Sequence, residues 1–164
     1  MYEIDLEKAT QYIAEIYHEK DKPSAKEYVE RAGLVGPIIE DDIARLFKLL
    51  LKVTRPKKIL EIGMNIGFST TSMALAVKDF EGMVTTLEMD PEVAKVARKN
   101  FEREGVADNI EIVIGDAYEI LPRIESESYD VVFQDSTKRG YPLMLKDCLR
   151  ILKRGGLLLV DDTL

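Results

Sequence analysis

Ile59-Leu60-Glu61-Ile62-Gly63-Met64-Asn65-Ile66-Gly67-Phe68-Ser69 reads as a buried strand, a glycine turn and the start of a helix. Gly63 and Gly67 allow a backbone to approach a ligand closely, and the amides opening the helix, together with Ser69, suit a carboxylate. The spacing departs from the dinucleotide pattern G-x-G-x-x-G, and no P-loop lysine follows. A glycine turn that holds no ligand is the plainer alternative.

Outward from this stretch the chain alternates strand with helix, the pattern of a parallel α/β sheet. Strands are expected at residues 58–62, 83–88, 110–114, 129–134 and 157–161. Their apolar runs are nearly continuous, as in strands covered on both faces. Helices are expected at 68–79, 91–104, 118–123 and 141–152. Asp90-Pro91-Glu92 is a helix start in which Asp caps, Pro fits the first turn and Glu complements the dipole. Gly105 is placed to end that helix in a left-handed conformation. Ahead of the sheet, residues 4–19, 24–32 and 38–52 read as helices of an N-terminal extension to one domain covering 1–164, with the α/β core at 58–164. In the last of these, Ile39, Ile43, Leu46, Phe47 and Leu50 recur at helical spacing and are expected to dock on the sheet.

With 164 residues the chain has the size of one ordinary domain, and its 46% hydrophobic content is that of a globular protein. No segment approaches the roughly 20 apolar residues of a membrane span. The start, Met1-Tyr2-Glu3-Ile4-Asp5, lacks the basic and apolar regions of a secretory signal, which suggests a cytoplasmic protein. Cys148 is the only cysteine, so intramolecular disulfides and cysteine-cluster zinc sites are excluded. A net charge of −7 disfavours extensive contact with nucleic-acid backbone. Arg55, Lys57 and Lys58 form a small basic group before the first strand, which a solvated turn explains equally well. His18, the sole histidine, lies far in sequence from the acidic loops and receives no role.

Acids at strand ends carry the chemistry. Ligands bind at the C-terminal ends of parallel strands. Asp135 follows the fourth strand and Asp161-Asp162 the fifth, so the three can converge on one hard cation, Mg2+ or Ca2+. Lys138 would bring an amine beside that ion. Helix capping is the plainer role for any one of these acids. Glu88 ends the second strand at the position of an acid that grips ribose hydroxyls, and Gly115-Asp116-Ala117 follows the third, where adenine edges are commonly read.

These motifs together resemble the class I S-adenosylmethionine-dependent methyltransferases, and more closely the metal-dependent O-methyltransferases of the catechol and caffeoyl-CoA type. The resemblance runs from about Gly36 to the C-terminus. It rests on Glu61-x-Gly63-x-x-x-Gly67-x-Ser69, Glu88-Met89, Gly115-Asp116-Ala117, Asp135-x-x-Lys138-x-x-Tyr141, and Gly155-Gly156 leading to Asp161-Asp162. It implies a doubly wound, Rossmann-like parallel sheet of order 3-2-1-4-5, without the two further strands that such enzymes usually carry. By the same resemblance Gly63, Asn65, Gly67 and Ser69 hold the methionine part of S-adenosylmethionine, Glu88 the ribose, and Met89, Asp116 and Ala117 the adenine, with Asp135 beside the methyl group. Asp135, Asp161 and Asp162 match the metal ligands, for Mg2+ first and Ca2+ or Mn2+ as alternatives, and Lys138 matches the catalytic base. The last ligand is usually Asn in the family, whereas Asp162 adds a negative charge.

The expected activity is metal-assisted methyl transfer to a hydroxyl of a small catechol-like aromatic. The alternatives are a hydroxylated uridine in tRNA as acceptor, and a module that binds the cofactor without transfer. An apolar fifth strand at a sheet edge invites association, so either a homo-oligomer, most simply a dimer, or further chain beyond Leu164 is expected to cover it.

Overall fold

The computed structural model describes Lys8, Gln11, Tyr12 and residues 23–33 and 37–161. The expected helix at 4–19 falls almost wholly outside these residues. Within them, chain order runs α1 (Ala25–Ala32), α2 (Asp41–Thr54), β1 (Lys58–Ile62), α3 (Phe68–Val77), β2 (Met83–Glu88), α4 (Pro91–Arg103), β3 (Ile110–Ile114), α5 (Ala117–Ile120), β4 (Tyr129–Gln134), α6 (Tyr141–Ile151) and β5 (Leu152–Val160). The five strands form one sheet in the order β3-β2-β1-β4-β5, every neighbouring pair parallel.

Helix boundaries follow local chemistry. Ser24 caps α1 in a reciprocal capping box with Glu27, an arrangement worth about 1 kcal/mol. The Asp90 carboxylate accepts the amides of Glu92 and Val93 to open α4, and Gly105 leaves that helix at φ +65°. Alternation along the strands divides the core into two layers. Ile59, Val84, Val131 and Phe133 join Tyr28, Phe47, Leu51, Phe68 and Phe101 on one face. Leu60, Ile62, Leu87 and Val132 meet Met144, Cys148 and Ile151 of α6 on the other. Phe47 meets Phe133 edge-on at 4.7 Å between ring centroids, a contact worth about 0.5–1.5 kcal/mol beyond its buried area. Burial pushes the Cys148 thiol up to about 11, with the nearby Asp147 charge adding to the effect. Cys148 is thus an inert core residue.

Three expectations are corrected. The docking face of α2 consists of Ala44, Phe47 and Leu51 with Ile43 packed half-buried beside them as expected, while Leu46 is 48% exposed and Leu50 half-buried. The helix begins at Asp41, leaving Ile39 buried ahead of it. Leu46 is the third residue beyond Ile43 but points out, since the buried positions follow Ala44, Phe47 and Leu51 around the helix. Strand β5 begins at Leu152 rather than at 157. Tyr129 pairs with Leu152 and Val131 with Leu157, so residues 153–156 bulge outward opposite Asp130. The glycines and charged residues of this bulge hide the strand's start from an apolar-run reading. The edge strand β3 is also less covered than its sequence suggests, with Glu111 and Ile114 exposed.

Candidate functional site

The strand order reverses at β1 and β4, and the crevice beyond their C-terminal ends is where an open α/β sheet takes its ligand. A cavity of about 590 Å3 occupies that position. Gly63 and Asn65 reach it from β1, Glu88 and Met89 from β2, Asp116 and Ala117 from β3, and Asp135 and Lys138 from β4. The sheet's hydrogen-bond ladder continues past the strand ends and fixes these loops side by side. The Gly63 amide donates to the Leu87 carbonyl at 3.1 Å, the Gly115 amide to that of Glu88 at 2.9 Å, and the Asp135 amide to that of Ile62 at 2.9 Å.

Gly63 is the tightest point of this construction. At φ +95° it occupies a region that side-chain-bearing residues avoid, and a Cβ there would lie 2.3 Å from the Asp135 carbonyl oxygen. The β1 and β4 loops can pass this closely only because the residue has no side chain.

Glu88 is held before any ligand arrives. Its Oε2 accepts the Asn65 amide at 3.0 Å and its Oε1 the Asp90 amide at 2.9 Å. Each carboxylate oxygen has two lone pairs, so both oxygens retain capacity for a pair of vicinal hydroxyls. Asn65 adopts φ +49° and anchors its side chain on the Pro37 carbonyl at 2.9 Å. Asp116 caps α5 by accepting the Tyr118 amide at 2.8 Å. Met89, 71% exposed, offers an apolar thioether at the cavity's edge.

Gly67 and Ser69 do not line the cavity among the described residues. A Cβ on Gly67 would lie 2.4 Å from the Phe101 ring, so its place is in the packing of α4 against the turn. Ser69 is buried and its hydroxyl donates to Glu61 at 2.5 Å. The β1 carboxylate, fully buried, also accepts hydroxyl hydrogens from Thr70 at 2.5 Å and Thr86 at 2.6 Å. Burial raises the Glu61 carboxyl above its ordinary range, and these three hydroxyls only partly offset that. Glu61 thereby ties the first turn of α3 to β1 and β2, behind the glycine turn it supports. An acid inside an otherwise apolar strand was the sequence signal for this anchor.

The acids after β4 and β5 are neighbours by register. Gln134 pairs with Val160, so Asp135 and Asp161 follow directly on adjacent parallel strands, whose backbones run about 4.8 Å apart. The Asp161 amide donates to the Gln134 carbonyl at 3.3 Å. Asp135 lines the cavity and Asp161 does not. Asp162 lies outside the described residues, and among those described no three His, Cys, Asp or Glu side chains form a metal-binding group. The donor chemistry nonetheless suits a hard cation, since two acids leave adjacent strands at one register position and a third adjoins them in sequence. Lys138 begins a short 3-10 helix, Lys138–Gly140, on the cavity wall.

Sequence reasoning passed over Tyr118 and Ser136. Tyr118 lines the cavity, and its hydroxyl lies 2.8 Å from where a Gly140 Cβ would be, so the entry to α6 packs against it. An aromatic immediately after Asp116-Ala117 was the available signal. Ser136 carries a buried hydroxyl oxygen without a hydrogen-bond partner among the described residues.

A doubly wound parallel sheet with a preset carboxylate at the end of β2, facing a cavity at the switch point, defines the class of α/β proteins that bind nucleoside-type cofactors. Within that class the chain belongs to the O-methyltransferase family, which matches residues 11–164. It is 37% identical over 116 residues to a catechol O-methyltransferase of Mycobacterium tuberculosis, covering 71% of this chain and 52% of that protein. A catechol O-methyltransferase of Niastella koreensis is 31% identical over 164 residues, covering 97% of this chain and 74% of the relative. Among solved structures, an O-methyltransferase from Bacillus cereus in complex with SAH is similar at 26% identity and a TM-score of 0.76, over 87% of this chain and 67% of that one. A SAH-bound methyltransferase from Podospora anserina is similar at 25% identity and a TM-score of 0.79, over 98% and 72%. The chain thus spans about half to three quarters of the length of these relatives.

Proposed function

We propose that this chain carries the cofactor and metal site of an S-adenosylmethionine-dependent O-methyltransferase acting on a small catechol-like aromatic. The observation that carries the reading is the convergence of four strand-end loops on one cavity, with Glu88 oriented by two backbone amides and Asp135 and Lys138 on the opposite wall. Relatives named for catechol and caffeoyl-CoA methylation, and neighbours with SAH bound, support the same chemistry.

In this reading Glu88 accepts both ribose hydroxyls, Met89, Asp116 and Ala117 frame the adenine, and Gly63 and Asn65 receive the methionine part. Asp135, Asp161 and Asp162 would hold a divalent cation, Mg2+ in the first instance, which when bound fixes two adjacent acceptor oxygens and lowers the pKa of a hydroxyl. A phenol titrates near 10, so a base is needed at neutral pH. Lys138 is the base, its Nζ taking the hydroxyl proton. The oxygen then forms a bond to the methyl carbon as the sulfonium–methyl bond breaks, leaving S-adenosylhomocysteine and a methyl ether. Orientation of the two reactants supplies much of the acceleration. The net charge of −7 weighs against tRNA as the acceptor.

The test separates binding from transfer. S-adenosylmethionine affinity is measured by titration calorimetry, and methyl transfer is followed in single turnover on a panel of catechols, with and without EDTA. Chelation, or Asp161→Ala, is expected to abolish transfer while leaving cofactor affinity within a few-fold. Full activity of protein shown to be metal-free by elemental analysis would reject the cation. Cofactor binding without transfer to any catechol, metal present, would reject the acceptor class.

A further inference from the structure

A second cleft, of about 240 Å3, opens at the opposite end of the sheet from the cofactor cavity. Arg55 and Lys57 line it from the turn between α2 and β1, and Lys153 and Arg154 from the β5 bulge. Asp130 is the one acid on its walls among the described residues, and both of its carboxylate oxygens are engaged. Its Oδ2 accepts the amides of Lys57 and Lys58, both at 2.9 Å, and its Oδ1 accepts Lys153 Nζ at 2.7 Å.

The other neighbouring acids neutralise the cleft only loosely. Glu127 meets Arg154 at 3.3 Å, with Arg154 almost fully exposed, and Glu81 lies 3.9 Å from Lys57 Nζ in open solvent. Exposed pairs of this kind contribute little and exchange readily. Arg55 differs from the rest. Its guanidinium carbon sits 4.7 Å from the centroid of the Phe80 ring, and no carboxylate among the described residues pairs with it. Stacking on a ring orients a guanidinium without cancelling its charge. Arg55 also stands at φ +50°, where Asn or Gly would be less strained. Across the cleft, Gly155 is at φ +79° with nothing within 4 Å of a built Cβ, so the bulge leaves its backbone open to a ligand.

We propose that this cleft binds the phosphoryl group of a small phosphorylated molecule. Lys153 is held by Asp130 and Lys57 by the Phe80 carbonyl, so the unneutralised Arg55 guanidinium and the exposed, loosely paired Arg154 are the groups that suit a compact tetrahedral dianion. The volume is below the roughly 300–1,000 Å3 of pockets that engulf a drug-sized ligand, so the phosphoryl group enters and the remainder of the molecule stays outside. The site is separate from the methyl-transfer reading and does not depend on it.

Inorganic phosphate is the probe, titrated into the intact chain at constant ionic strength against sodium chloride, with backbone amide shifts read by NMR. Saturable shifts confined to Arg55, Gly155, Gly156 and their neighbours are expected. The double variant Arg55→Asn/Arg154→Gln, in which Asn tolerates the left-handed backbone, is expected to bind phosphate at least about tenfold more weakly. Its S-adenosylmethionine affinity is expected to stay at the parental value and its urea midpoint at or above it, since Asn relieves backbone strain at φ +50°. Shifts reproduced by chloride, or undiminished phosphate binding by the double variant, would overturn the proposal. So would a single-stranded oligonucleotide that saturates these amides where phosphate does not.

Discussion

Replacing Gly63 by alanine tests the packing on which the cofactor cavity depends. The new methyl carbon would lie 2.3 Å from the Asp135 carbonyl oxygen, 2.9 Å from its carbonyl carbon and 3.3 Å from the Ser136 Cα. All three are backbone atoms, so no side chain can turn aside, and the β1 and β4 loops must separate. Left-handed strain costs about 1–2 kcal/mol for a residue with a Cβ, and overpacking adds about 1–3 kcal/mol. The sum, about 2–5 kcal/mol, is a large part of the 5–15 kcal/mol that holds a typical domain folded. Gly105 supplies the control, because it is also left-handed, at φ +65°, yet has nothing within 4 Å of a built Cβ. Gly105→Ala therefore incurs the strain without the clash. In urea, with a slope of about 2 kcal/mol per molar, Gly63→Ala should unfold roughly 0.5–1.5 M below Gly105→Ala. It should also lose cofactor affinity, since Asp135 is displaced. Coincident midpoints for the two variants would show that the loops yield freely and that close approach at Gly63 is not a constraint.

Further outcomes follow from the site and its support. Glu88→Ala should weaken S-adenosylmethionine binding about tenfold to hundredfold by calorimetry, the loss of a charge-assisted hydrogen bond of about 1.5–3 kcal/mol; unchanged affinity in a folded variant removes Glu88 from the site. Lys138→Ala should lower turnover by about 10² to 10⁴-fold with little change in cofactor affinity, and undiminished turnover would exclude it as the base. Glu61 has its folded pKa raised by burial above the ordinary 4.5, so the native state holds its proton more tightly than the unfolded chain. Its stabilising contribution is complete below pH 4.5 and declines as pH rises through the folded value. The urea midpoint of the parent minus that of Glu61→Gln should therefore fall across this range, and a difference independent of pH would refute the assignment.

Much of the core was legible because a buried parallel strand must be apolar on both faces. The expected strands at 58–62, 83–88, 110–114 and 129–134 coincide with β1 to β4. Asp90-Pro91-Glu92 opened its helix as capping chemistry requires, for that interaction is local. Gly63, Glu88, Asp116 and Asp135 at the ends of the first four strands were visible too, and parallel topology brings them to one cavity, which Asp161 after β5 does not line.

What the sequence could not decide were contacts between residues distant along the chain. The Glu61 carboxyl gathers hydroxyls from Ser69 and Thr70 on α3 and from Thr86 on β2, a junction that only the assembled sheet creates. The face by which α2 docks was set by Ala44 and by Phe47 meeting Phe133, not by helical periodicity alone. Strand β5 gained its first residues through a bulge that only pairing with β4 defines. Apolar runs, caps and turn residues act within a few positions, so the sequence by itself determined where elements form. Which hydroxyl a buried carboxylate captures, and which glycine two loops must share, depend on distances that exist only once the sheet is assembled, and these the tertiary structure decided.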